Sequence, residues 1–119
     1  MGDDRMSGGG KISLHAVDVA AGRPAFGMAV EIWQLGAARV KLAAGTLREN
    51  GTFETASAGG GQYEAVFHLG AHFRGQAAML PDPPFLDVAV FRFGVADAGV
   101  EYHLPLKFTP WGFSLFRGA

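Results

Sequence analysis

The stretch VEYHLPLKFT, residues 100–109, carries an apolar side chain at every second position, and this period of two restricts the fold more than any other feature of the chain. A β-strand has that period and a helix does not. Val100, Tyr102, Leu104, Leu106 and Phe108 are expected to point into a core, with Glu101, His103, Lys107 and Thr109 on the opposite face. The stretch that follows, PWGFSLFRGA, stays rich in aromatic side chains instead of trailing into the polar tail common at chain ends. A last strand, GFSLF, is expected there.

The same alternation recurs upstream. In KISLHAV, Ile12, Leu14 and Ala16 oppose Ser13, His15 and Val17, and in MAVEIWQL, Met28, Val30 and Ile32 oppose Ala29, Glu31 and Trp33. The run RVKLAAGTL leads to Asn50-Gly51, a hairpin signal because both residues tolerate positive φ, so the chain is expected to reverse there. GGGQYEAVFHL and FLDVAVFRFGV read as further strands, with PDPPF breaking regular structure before the second. GAHFRGQAA is expected to hold the only helical turn. About seven or eight short strands joined by turn chemistry describe an all-β, two-sheet antiparallel sandwich with at most one short helix.

Size and composition agree with one folded domain. The chain has 119 residues, of which 49% are hydrophobic and 18% charged, enough apolar surface to fill a single core. Residues 1–10 read as a flexible leader and 11–119 as the domain. The leader has no apolar run of the signal-peptide kind, and no segment approaches the roughly 18 apolar residues of a membrane helix, so a cytoplasmic location is expected. A net charge of −1 from ten basic and eleven acidic residues leaves no basic stripe, which argues against nucleic acid as a partner. With no cysteine, disulfide and thiolate chemistry are excluded.

Few motifs suggest chemistry. His68 and His72 have the spacing of two metal ligands on one helix face, but no third ligand adjoins them, so no metal site is assigned. None of Ser7, Ser13, Ser57 and Ser114 lies in a nucleophile elbow. His15 and His103 both fall on the outward faces of their strands, where an ordinary solvated side chain is as good a reading as a functional one. If the first and penultimate strands meet, two imidazoles, a carboxylate, an ammonium and a hydroxyl share one polar surface.

Those two segments also carry a family resemblance. LHAVDVAAGRPAFGMAVEIWQL and EYHLPLKFTPWGFSLFRGA, with GQYEAVF and PPFLDVAVFRF between them, resemble the transthyretin-like family, whose enzymatic branch is 5-hydroxyisourate hydrolase. The resemblance implies a two-sheet sandwich, a homotetramer with sites in a channel between dimers, and ring-opening hydrolysis of a small heterocyclic substrate without metal or organic cofactor. It places His15 and His103 as the catalytic histidine pair, and Arg117 and Gly118 in the terminal motif. Thr109 and Ser114 become pocket residues, and Arg117 either holds the terminal turn or contacts substrate.

The departures from that pattern are chemically specific. Thr52 stands where the family has a catalytic arginine, and Arg48, four residues earlier across the expected turn, is the candidate replacement. Glu101 replaces the first histidine of His-Tyr-His and is assigned to substrate binding with Arg48; Phe116 replaces a tyrosine and Ala119 a serine. An arginine, a phenol and a hydroxyl are lost while a carboxylate enters. Each lost charged hydrogen bond is worth about 1.5–3 kcal/mol, so a different heterocyclic substrate, or a non-catalytic small-ligand carrier, remains a rival reading.

Overall fold

The computed structural model describes residues 10–76 and 80–118. The expected leader therefore lies, apart from Gly10, outside the described residues, as do Ala77, Ala78, Met79 and Ala119. The described residues form nine strands and one short helix: β1 (Lys11–Asp18), β2 (Arg23–Pro24), β3 (Ala29–Leu35), β4 (Arg39–Thr46), β5 (Thr52–Ala56), β6 (Gly61–His68), α1 (Leu69–Arg74), β7 (Val88–Val95), β8 (Glu101–Thr109) and β9 (Gly112–Leu115).

They make the two-sheet sandwich that the alternation predicts. One sheet runs β4-β3-β6-β7. In the other, β1 pairs with β8 on one side and shares its other side between β5 and the two-residue β2, while β9 closes the far edge against β8. All pairings are antiparallel except β1 with β8, which run parallel in register from Lys11 opposite Glu101 to Asp18 opposite Phe108. Nothing local in either strand encodes that direction. It follows from the long excursion through the second sheet that separates them.

The inward sets assigned from the sequence do fill the core. Ile12, Leu14 and Ala16 of β1 and Tyr102, Leu104, Leu106 and Phe108 of β8 are buried against Val30 and Ile32 of β3 and Tyr63, Ala65 and Phe67 of β6. Each large side chain buried this way stabilises the fold by about 1.5–3 kcal/mol. Val100 is a correction: it precedes β8, in a turn where its amide donates to Asp97 O, and it is 38% exposed. Its sequence parity matched the strand, but the chain has not yet entered the ladder there.

The Asn50-Gly51 reversal also differs from a simple hairpin. Gly51, at φ +80°, donates to Arg48 O at 2.8 Å, and Arg48 N donates to Thr52 O at 2.9 Å, so the chain does turn. Its flanks part company, however: β4 pairs with β3 and β5 with β1, and the turn carries the chain from one sheet to the other. The short helix α1 begins at Leu69, one residue before the expected helical segment and at the end of the stretch read as a strand, and it buries Leu69 and Phe73.

Candidate active site

Strand register gathers polar residues from both ends of the chain on the outer face of the sheet containing β1. Ser13 sits between His103 of β8 and Glu54 of β5, and His15 between Pro105 and Thr52. Because alternate residues share a face, Ser13 and His15 project together with Glu101 and His103. The His15 and His103 rings stack with centroids 6.3 Å apart and planes inclined by 26°. Beside them opens a groove of about 530 Å³, walled by Ser13, Arg48, Thr52, Glu54, Glu101 and His103 among others.

Two glycines let backbone close on the imidazoles. At Gly51 a Cβ would meet Ala16 O at 2.7 Å and His15 Cδ2 at 3.2 Å, and the residue's positive φ is itself unfavourable for other side chains. Its carbonyl accepts from Ala16 N, which pins the turn against β1. Gly118 donates its amide to His103 O at 2.7 Å, and a Cβ there would lie 2.9 Å from His103 Cδ2. The chain thus folds back onto its second histidine.

Arg48 lies in the groove wall, its guanidinium 3.8 Å from Glu54 Oε2, which in turn lies 3.6 Å from Lys11 Nζ. Both partners of Arg48's ion pair are about half exposed, so this contact holds the guanidinium only weakly. Thr52, opposite His15, is tied up locally: its hydroxyl and its amide both donate to Asn50 Oδ1. Ser13, Asn50 and Glu54 were not assigned to the site from the sequence, where Asn50 was read only as a turn residue and Ser13 only as a serine outside any nucleophile elbow. The signal for Ser13 was present, since it stands two residues before His15 and so shares its strand face.

The remaining assigned residues lie elsewhere. Thr109 accepts from Trp111 N in the β8–β9 turn, and Ser114 pairs with Lys107. Lys107 is four residues along β8 from His103, a span of about 13 Å, so one chain does not bring Thr109 or Ser114 to the His103 imidazole. Arg117 places its guanidinium over the Tyr102 ring at 4.3 Å. Tyr102 faces the core, so Arg117 lies across the β8 backbone from His103.

The other two histidines do not converge. His68 Nε2 is 2.9 Å from Glu31 Oε2, whereas His72 Nε2 is buried 3.3 Å from Asp18 Oδ2 and packs edge-on against Phe73 and Phe108. Among the described residues no group of three or more histidine, aspartate or glutamate side chains is arranged to hold a metal ion.

The profile of the HIUase/Transthyretin family matches residues 12–118. The chain belongs to that family. Within it, 5-hydroxyisourate hydrolase 2 of Rhizobium meliloti (strain 1021) is 40% identical over 125 residues, covering 96% of this chain and 100% of the relative. The crystal structure of (S)-allantoin synthase superposes with a TM-score of 0.84 at 28% identity over 92% of this chain, which spans only 44% of that longer one. The 5-hydroxyisourate hydrolase of Klebsiella pneumoniae superposes with a TM-score of 0.77 at 26% identity, covering 92% of this chain and 99% of that one. Family membership accounts for the sandwich.

Proposed function

We propose that this chain is a cyclic amidohydrolase that opens the ring of 5-hydroxyisourate, working in the cytoplasm as a homotetramer. The observation that carries the reading is the 6.3 Å stacking of His15 and His103, residues from opposite ends of a sequence that is 40% identical to a 5-hydroxyisourate hydrolase. In this reading His103 takes a proton from a water molecule while the water oxygen bonds to a ring carbonyl carbon. An imidazole suits that role because its ordinary pKa near 6.5 leaves it mostly neutral at neutral pH. Arg48 holds the oxyanion with its planar pair of donors, in place of the arginine that Thr52 displaces. His15 orients the substrate and donates its own ring proton to the departing ring nitrogen as the C–N bond breaks. The new carboxylic acid then ionises and its proton restores His15, while His103 releases to solvent the proton it took from water.

Assembly supports the site. Phe113 and Phe116 of the terminal segment are each 46% exposed and Trp111 is 60% exposed, apolar surface that a second copy would cover. Thr109 and Ser114 reach a histidine pair only if that pair belongs to a neighbouring subunit, and Arg117 holds the C-terminal turn through Tyr102. The reaction is tested by following hydroxyisourate absorbance with and without protein. Decay faster than the spontaneous rate is expected, and an unchanged rate overturns the proposal.

A second reading is favoured by Glu101 and Thr52: the same machinery acting on a heterocycle that offers a donor to Glu101. Under it, Glu101→Gln abolishes turnover of that ring while hydroxyisourate decay stays spontaneous throughout.

A further inference from the structure

A three-membered hydrogen-bond chain crosses the groove floor. Ser13 Oγ donates to Glu101 Oε2 at 2.8 Å and lies 2.7 Å from His103 Nδ1. A hydroxyl has one proton to give, and an ionised carboxylate only accepts. With that proton turned to Glu101, Ser13 meets the imidazole through a lone pair, and Nδ1 must be the ring nitrogen that bears hydrogen.

We propose that Ser13 and Glu101 are positioning residues that lock His103 in the Nδ1–H tautomer, leaving the Nε2 lone pair as the site that takes the proton from water. The inference rests on His103 acting as the base in the reading above. The parallel register fixes the geometry, setting Ser13 directly beside His103 and Glu101 two residues away on the same face. Ser13 is only 6% exposed, so water competes little for its hydroxyl. Among the described residues the other charged or titratable groups of the surrounding face are His15 and Lys11 on β1, Glu54 on β5 and Arg48 before it, with Lys107 farther along β8, and Lys11 is engaged with Glu54. When Nε2 gains its proton, the imidazolium keeps donating from Nδ1 to Ser13, whose own proton stays on the side of Glu101. Positive charge is thereby met by a carboxylate one hydroxyl away, with no proton passed to Glu101.

The test compares Ser13→Thr, which retains the hydroxyl, with Ser13→Val, which has the same shape without it, in the full-length protein. Nitrogen-15 spectra of the histidine ring should show the Nδ1–H form of His103 in wild type and Ser13→Thr, and a shift toward Nε2–H in Ser13→Val. Turnover of hydroxyisourate should follow, with kcat roughly 10²-fold lower in Ser13→Val, KM little changed, and Ser13→Thr near wild type. An Nε2–H form in wild type, or a tautomer and kcat that do not distinguish the two variants, overturns the lock and leaves the hydrolase reading intact. The expected spectra with no turnover in any sample overturn the hydrolase reading and leave the lock standing.

Discussion

The outer faces of the two sheets carry similar residue types arranged to opposite ends. On the β4-β3-β6-β7 face, charges close on one another: Glu64 accepts from Arg39 on one side and Arg92 on the other, each at 3.0 Å. The Arg39 guanidinium also lies 3.7 Å over the Trp33 ring, and Glu31 accepts from Trp33 Nε1 while facing His68. These contacts hold the Glu31 and Glu64 carboxyls below their ordinary value of 4.5, His68 being the larger influence on the first and Arg39 on the second. On the β5-β1-β8-β9 face, by contrast, Arg48 is held loosely and the two imidazoles stack beside an open groove. A charge satisfied by its neighbours stabilises a sheet, and one left partly free is available to a ligand.

The sharpest way to break this contrast is His103→Ala, expected to lower kcat/KM for hydroxyisourate by about 10²-fold or more while leaving the thermal midpoint nearly unchanged. Steady-state kinetics beside a melting curve measures both. Arg48→Ala should follow, reducing kcat/KM by roughly 10-fold or somewhat more, the equivalent of one charged hydrogen bond to an oxyanion. Retained activity there would return the oxyanion to some other donor. On the opposite face Glu64→Ala should leave turnover alone and lower stability by about 1 kcal/mol, a figure reduced for the exposure of both arginines.

Acid titration sharpens the same difference. Because Glu64 stays ionised in the folded chain at pH values where an unfolded chain would protonate it, its contribution is complete above about pH 4.5 and is lost as pH falls through the lowered folded value. Urea unfolding of Glu64→Gln should therefore depend less on pH below 4.5 than that of wild type. The smallest effect is expected from Trp33→Leu, which removes the stacking partner of Arg39 and should lower stability by roughly 0.5–1 kcal/mol with no change in kcat.

The sandwich was legible because both sheets bury one face, and burial of one face writes a period of two into β1, β3 and β8. What pairs with what was not. The parallel partnership of β1 and β8, and the passage of the chain between sheets at Asn50-Gly51, depend on contacts that no short window contains. The site divides along the same line. His15 and His103 could be placed on outward faces from parity alone, whereas the link from Ser13 to both Glu101 and His103 exists only once the register is fixed. Arg117 shows the converse: its motif pointed to the terminal turn, but which side of β8 it occupies is decided by the ring of Tyr102.

The amide of Gly118 is bonded to the His103 carbonyl. Even the methyl group of an alanine at residue 118 would press on the His103 imidazole and on the Pro105 ring, so the identity of this one residue bears directly on how the histidine sits. A substitution at Gly118 should therefore be judged by what it does to His103.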